Sequence, residues 1–261
     1  MNIVLGCDPE IFLADVNGRL KASCGLIGGS KEHPLPLPIG DGYAVQEDNV
    51  ALEFNIPPAP NAKAFIESIG RAMDFLSFDA ESRYGFKLIN SSAASFPDEE
   101  LLSPAARVFG CDPDYNAWTG KRNPKPKAAD RNLRSCGGHV HVGFDKQQVE
   151  LLHLIKCMDL YLGVPSVLMD KGELRKELYG KAGAFRDKKY GGEYRTLSNF
   201  WVFDERLRQW VWDNTEKAVY AAMTRFAVDD YKDSILDAID NNNKEAAVYL
   251  KQQLNLEVLS V

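Results

Sequence analysis

Glu193 and Arg195 stand two residues apart in the run Gly191-Gly192-Glu193-Tyr194-Arg195-Thr196-Leu197-Ser198-Asn199-Phe200-Trp201. This spacing constrains the fold more than any other feature of the chain. On a β-strand, residues two apart project from one face. The pair therefore asks for a strand with one polar face and one face turned to the core. A carboxylate so placed is a hard oxygen ligand for Mg2+. A guanidinium beside it can hold a phosphate oxygen in a planar fork. An ion pair on an exposed strand satisfies the same spacing, so the weight falls on three other segments that repeat the arrangement.

In Ile3 to Leu13, a strand interrupted by Gly6-Cys7-Asp8-Pro9, Asp8 and Glu10 share a face. Pro9 confines this stretch to a sheet edge or a bulge, and the plain alternative makes Asp8-Pro9 a turn with Glu10 in solvent. Gln46 to Ile56 reads as one strand, with Val50, Leu52, Phe54 and Ile56 alternating against Ala51, Glu53 and Asn55. Glu53 lies on its polar face, with Asp48 nearby. In Arg134 to Gly143, His139 and His141 share one face while Val140 and Val142 turn to the core. Gly137 and Gly138 let a backbone or ligand come close. Cys136 offers zinc a third ligand, but it lies an odd number of residues from both histidines, so a regular strand points it to the other face.

The net charge of -6 and pI of about 5.4 exclude a general nucleic-acid binder, which would be basic. Two local basic stretches stand out against that background. Residues 118–134 carry Lys121, Arg122, Lys125, Lys127, Arg131 and Arg134, and read either as a solvated loop or as a lid that draws in an anionic substrate. Residues 175–190 carry Lys181, Arg186 and Lys188 among glycines, the makings of a polyphosphate clamp. Gly28-Gly29-Ser30-Lys31 is a weaker phosphate cradle inside a Gly/Pro-rich loop at 23–43.

The rest is scaffold. Asn61 caps a helix whose Phe65, Ile66, Ile69, Met73 and Leu76 form a buried stripe. A strand is expected at Phe86 to Phe96, then a solvated acidic segment at Glu99 and Glu100. Gln147 to Met169 reads as a long apolar helix bent near Gly163 to Pro165. From Asp204 on, helices buttress the sheet or mediate self-association. Gly110-Cys111-Asp112-Pro113 echoes the tetrapeptide at Gly6 without further similarity. The 5 cysteines are scattered with no CxxC pair, which predicts reduced thiols in a cytoplasmic protein. No segment reads as a signal peptide or approaches the ~20 apolar residues of a membrane span.

Residues 6–15, Gly-Cys-Asp-Pro-Glu-Ile-Phe-Leu-Ala-Asp, resemble the Glu-Pro-Glu-Phe-Phe-Leu strand of glutamine synthetases, with Asp8 in place of the first Glu. Gly138 to His141 resembles that family's Gly-x-His-x-His strand. The order of carboxylates, HxH, cationic loop and Glu-x-Arg resembles the carboxylate–amine ligase superfamily, which includes glutamate–cysteine ligase and the guanidino kinases. The run from Gly-Ala-Phe-Arg to Asn-Phe-Trp is most similar to the phage-type COOH-NH2 ligase (amidoligase type 2) family. The resemblance covers about residues 3 to 201.

That resemblance implies an α+β fold: a curved, mostly antiparallel sheet like the glutamine synthetase catalytic domain, with the active site on the concave face and helices outside. It implies a catalytic core over 1–203, with 204–261 a helical segment packed on it as part of the same domain. It implies ATP with Mg2+ or Mn2+ as cofactors, and small-molecule or peptide carboxylates and amines as substrates. Metal would be held by Asp8, Glu10, Glu53, His139 and Glu193. The nucleotide would be met by His141, Lys181, Arg186, Lys188 and Arg195. Catalysis would rest on Arg195, Arg186 and Glu193. No base for the amine stands out. A guanidino-kinase-like phosphotransferase, a zinc hydrolase built on Cys136, His139 and His141, and a non-enzymatic nucleotide or metal sensor remain open. The protein is expected in the cytoplasm (the host's, if phage-encoded), free of membranes, with self-association into a homo-oligomer left open.

Overall fold

The computed structural model of the chain describes residues 3–107, 114–124, 129–172 and 174–260. The echoed tetrapeptide at 110–113, and Lys125 and Lys127 of the basic stretch, lie outside the described residues. The strands are β1 (Val4–Cys7), β2 (Glu10–Ala14), β3 (Leu20–Lys21), β4 (Leu35–Pro36), β5 (Ala44–Asp48), β6 (Ala51–Asn55), β7 (Lys87–Ile89), β8 (Ala93–Ser95), β9 (Tyr115–Asn116), β10 (Lys121–Arg122), β11 (Leu133–Ser135), β12 (Val140–Gly143), β13 (Ala184–Lys188) and β14 (Gly191–Tyr194). All described pairings are antiparallel.

One sheet runs β1-β12-β14-β13-β9-β10, and a second runs β3-β2-β6-β5-β4 with β7 on the other edge of β2. β8 and β11 pair apart from both. The chain passes from the first sheet to the second between β1 and β2, at Asp8-Pro9. Pro9 has no N–H to give a ladder, and the break falls there. The seam is closed on both sides: Glu10 donates its N–H to the Gly137 carbonyl at 2.9 Å, and Leu5 and Ala59 exchange backbone bonds at 2.9 and 2.7 Å. The two sheets thus form one curled antiparallel surface, a half-barrel, in an α+β chain.

The helices are α1 (Ala62–Tyr84), α2 (Pro104–Arg107), α3 (Leu151–Met158), α4 (Val164–Met169), α5 (Glu205–Met223), α6 (Lys232–Asp240) and α7 (Lys244–Leu254). Asn61 Oδ1 accepts from the Ala64 N–H at 2.9 Å, so the cap forms as the sequence suggests. α1 packs on α5 and β7, and α3 lies across β13 and β14. Val140, Val142 and Tyr194 face the helices, in a core that continues from Ile3 to Leu256.

Several expectations change. Gln46 to Ile56 is a hairpin, because Asn49 turns the chain with φ 57°. Its second strand keeps the expected alternation. Phe86 to Phe96 divides into β7 and β8, in different sheets. Glu100 is tied down by Lys21 at 2.8 Å and the Ala22 N–H at 2.9 Å. The 151–169 run is α3, a π-turn at Asp159–Gly163 and α4, with the π-turn directly ahead of the Gly163 to Pro165 break that the sequence suggests. Contrary to the sequence reading, this 19-residue helical run has the length and hydropathy of a membrane span, but 67% of it is buried inside the molecule. It is the core helix of this fold.

Candidate active site

Strand register lines up the ionisable residues in two rows. In the first sheet, Gly6 faces His141, His141 faces Glu193, and Glu193 faces Arg186. In the second, Glu10 faces Glu53, and Glu53 faces Gln46. Directly opposite residues share a face, so each row is one line of side chains across its sheet. Asp8 sits at the seam between them. A cavity of about 520 Å3 opens over both rows, lined by Asp8, Glu10, Glu53, His139, His141, Arg186, Lys188 and Arg195, with Lys31, Gln46 and Asp48. Such a volume is ordinary for a small-molecule site.

Glu193 is fully buried beneath this floor. Arg195 Nη1 donates to its Oε1, Arg186 Nη1 lies 3.5 Å from the same oxygen, and Lys188 Nζ lies 2.7 Å from Oε2. Burial and the nearby Asp8 oppose its charge, but Arg195, His139 and His141 outweigh them and hold the carboxyl down at about 2. Arg195 also meets His139 Nδ1 at 3.2 Å and, through Nε, Asp114 Oδ2 at 3.6 Å. Asp114 directly precedes β9, and Asn123, just past β10, holds it at 2.9 Å. No strand pattern marks it in the sequence, and only the fold brings it to Arg195.

Asp8 Oδ1 lies 3.2 Å from His139 Nδ1 and 3.1 Å from His141 Nε2. Burial would raise its carboxyl, but the two imidazoles hold it well below the usual range. Burial, with the Arg195 charge beside it, pulls His139 down to about 4, although Asp8 and Glu193 favour its charged form. His141 goes the other way: burial opposes its charge, but Asp8 prevails and raises it.

The second row is acid-rich. Glu10 Oε2 accepts from the Gly137 N–H at 2.7 Å, and burial together with Asp48 pushes its carboxyl up to about 7. Glu53 accepts from Gln46 Nε2 at 2.9 Å and is raised further by burial, Asp8 and Glu10. Burial also raises Asp48.

Two groups can hold a cation: Asp8, His141 and Glu193 form one, and Glu10, Asp48 and Glu53 the other. Within each, the donor atoms lie within 4.8 Å of one another. Hard carboxylates with one imidazole fit Mg2+ or Mn2+. A divalent cation would relieve the mutual repulsion that raises the second group.

The backbone behind the floor is fixed from the helical side. A Cβ at Gly138 would stand 2.3 Å from the Ser198 carbonyl oxygen, so no larger residue fits under the histidine strand. Asp159, fully buried on the π-turn, accepts from Trp118 Nε1 at 2.7 Å, the Gly183 N–H at 2.6 Å and Tyr194 Oη at 2.9 Å. It thereby holds the residue between Glu193 and Arg195.

The structure brings together Asp8, Glu10, Glu53, His139, His141, Glu193, Arg186, Lys188 and Arg195. It differs from the sequence reading at other points. His141, not His139, joins the carboxylate group with cation-binding geometry, because His139 Nδ1 is engaged by Asp8 and Arg195. Lys181 is turned away from the cavity and donates to the Asp240 carbonyl at 2.8 Å. Of the 175–190 cations, only Arg186 and Lys188 line the cavity, because they share a face of β13. Arg175 is buried and donates to the Thr196 carbonyl at 2.9 Å. In the 118–134 stretch, Trp118 is buried and Arg134 binds the Ala106 carbonyl, while Lys121 and Arg122 form an exposed strand. The Gly28 N–H is spent on Glu47 Oε1 at 2.7 Å, not on a phosphate cradle. Cys136 faces away among Phe12, Phe96 and Leu101, which removes the Cys136/His139/His141 zinc site.

Residues 130–244 match the family model for phage phiEco32-like COOH.NH2 ligase-type 2. The matched segment resembles that family over less than half of the chain. It carries His139, His141, Arg186, Glu193 and Arg195, and it runs on into the C-terminal helices, where the motif resemblance had stopped. Asp8, Glu10 and Glu53 lie outside it. No curated protein matches the sequence. Among solved structures, a bifunctional glutathione synthetase from Pasteurella multocida aligns at 12% identity and a TM-score of 0.47, over 97% of this chain. The chain spans 49% of that structure's length.

Proposed function

We propose that this chain is an ATP-dependent carboxylate–amine ligase that forms an amide through an acyl phosphate. The observation that carries this reading is the cavity that joins two cation-binding groups to Arg186, Lys188 and Arg195, on a segment that resembles the amidoligase family. Asp8, His141 and Glu193 would hold one divalent cation and Glu10, Asp48 and Glu53 another. When bound, Mg2+ or Mn2+ neutralises phosphate charge.

The chain's own part is positioning and electrostatics. Arg186 and Lys188 bind phosphate oxygens of ATP from one face of β13. Arg195, held in plane by Glu193, His139 and Asp114, presents its fork to the γ-phosphoryl group as the substrate carboxylate attacks it. ADP leaves, and the acyl phosphate forms. An amine then displaces phosphate and the amide results. The loose transition state of phosphoryl transfer spreads charge over three oxygens, which a rigid guanidinium serves better than a mobile amine. The curled surface with catalytic groups on its inner side supports kinship with the glutamine synthetase fold. The substrates are small-molecule or peptide carboxylates and amines.

The test is ADP release, screened over amino acids, polyamines and cell-wall peptides. Release that needs a carboxylate, an amine and a divalent cation together is expected. Release with no amine dependence would point to a kinase on the same site. ATP binding without turnover on any pair would reduce the protein to a sensor.

A further inference from the structure

His141 makes two contacts through its two ring nitrogens. Nε2 faces Asp8 Oδ1 at 3.1 Å, within the group that also contains Glu193. Nδ1 is hydrogen-bonded to the hydroxyl of Tyr190, and the two rings stack with centroids 6.1 Å apart and planes 21° from parallel. Tyr190 is half exposed, at the turn between β13 and β14. Its position is not left to the turn alone. The Phe144 N–H donates to its carbonyl at 3.1 Å. The next residue, Gly191, has φ 155°, and a Cβ there would lie 2.0 Å from the Val142 carbonyl oxygen. Only glycine lets the turn close over the histidine strand, and that closure sets the tyrosine ring on His141.

We infer that Tyr190 is the positioning residue that makes His141 a ligand for a divalent cation in the Asp8/His141/Glu193 group. The inference rests on the ligase reading of this cavity. A neutral imidazole carries one N–H and one lone pair. Where the proton sits on Nε2, beside Asp8, Nδ1 needs a donor. When Nε2 turns its lone pair to a cation, Nδ1–H needs an acceptor. A hydroxyl is both, so Tyr190 keeps its bond to His141 in either state. A carbonyl or carboxylate at that place could serve only one of them. The stacked ring holds the imidazole plane while the proton changes nitrogen. Residues that orient a metal-bound histidine in this way are commonly worth ten- to a hundredfold in metal affinity.

The experiment is Mn2+ titration of the full chain with a saturating non-hydrolysable ATP analogue, following free Mn2+ by electron paramagnetic resonance and subtracting the Mn2+ that the analogue holds without protein. The class of sites to follow is the one lost in Asp8→Asn. Tyr190→Phe, which keeps the ring and removes the hydroxyl, should weaken that class about tenfold or more. Tyr190→Ala should weaken it about as much. His141→Gln should lose it, and adding Tyr190→Phe to His141→Gln should cost nothing further, since a cycle of contacting residues is not additive. Tyr190→Phe binding Mn2+ like wild type would overturn the inference. So would a loss seen in Tyr190→Ala only, or a Tyr190→Phe cost undiminished in the His141→Gln background. A wild-type chain with no Mn2+ site lost in Asp8→Asn would overturn both the inference and the cation reading of the group. Failure of the ADP-release screen alone, with the cycle intact, would strike only the ligase reaction.

Discussion

In cation-free buffer, Glu10→Gln is expected to stabilise the fold above neutral pH. Burial and Asp48 raise the Glu10 carboxyl from 4.5 to about 7. The folded chain therefore keeps a proton that the unfolded chain releases between those values. Stability falls wherever the folded state binds more protons than the unfolded state as pH rises. The loss begins near pH 4.5 and is complete above about pH 7. A tenfold change in proton affinity is worth ~1.4 kcal/mol, so moving the group this far costs the folded state about 3 kcal/mol at alkaline pH. Gln keeps an oxygen for the Gly137 N–H and places an N–H where the protonated carboxyl faces Asp48. The assay is thermal unfolding of both proteins with chelator across that pH range. They should agree near pH 4.5 and diverge by roughly 6–12 °C above pH 7, in a chain of this size. Added Mn2+ should raise the wild type far more than the variant at high pH. Parallel curves throughout would refute the reasoning, because the second carboxylate row would then carry no trapped proton.

Arg195→Lys keeps the charge but loses the fork that meets Glu193, His139 and Asp114, and should lower kcat at least ~10²-fold with little change in ATP Kd; wild-type turnover in steady-state kinetics would remove it from the phosphoryl clamp. Lys121→Ala with Arg122→Ala, on the exposed β10, should raise KM at low salt and lose that effect as salt screens the field, with an unchanged KM marking the strand as solvent-facing only. Gly138→Ala places a methyl against the Ser198 carbonyl and the Trp201 ring, and should cost roughly 2 kcal/mol or more in denaturant melts. A melt like wild type would mean that the histidine strand has room to shift.

The period-two residues were legible because sheet geometry leaves them no choice. His141 and Glu193 lie on strands, and His139 and Arg195, one residue beyond the strand ends, keep the extended spacing that puts each pair on one face, so the register only has to align them. Cys136 was correctly set apart by the same parity. What parity cannot give is which strand meets which, and the rows His141–Glu193–Arg186 and Glu10–Glu53–Gln46 are products of pairing alone. Asp48 was noticed only as a neighbour of Glu53, because the turn at Asn49, read as strand, hides that it faces Glu10. Asp114 stands just ahead of β9 and Tyr190 in a turn, where no periodicity marks a side chain that reaches the site. Lys181 and Arg175 went the other way: charge and sequence proximity favoured them, but the backbone turns them toward Asp240 and Thr196.

The charge arrangement also orders what a ligand must do. Glu193 is saturated by Arg195, Arg186 and Lys188 before any substrate arrives. A cation cannot bind it cheaply while those partners remain, since like charges would crowd one carboxylate. Phosphate oxygens give the three cationic side chains another anion to face, and thereby free Glu193 for a divalent ion. In the second group burial outweighs the cations that act on it, Arg195 at Glu10 and Asp48 and Lys31 at Asp48, and the carboxyls are raised instead. Cation alone should therefore bind first at Glu10, Asp48 and Glu53, and fully at Asp8, His141 and Glu193 only with polyphosphate present. Mn2+ titrations with and without a non-hydrolysable ATP analogue would decide it. The Asp8→Asn-sensitive sites should tighten with the analogue and the Glu53→Gln-sensitive sites should not. Equal tightening of both would mean that Glu193 is not competed for by its own clamp.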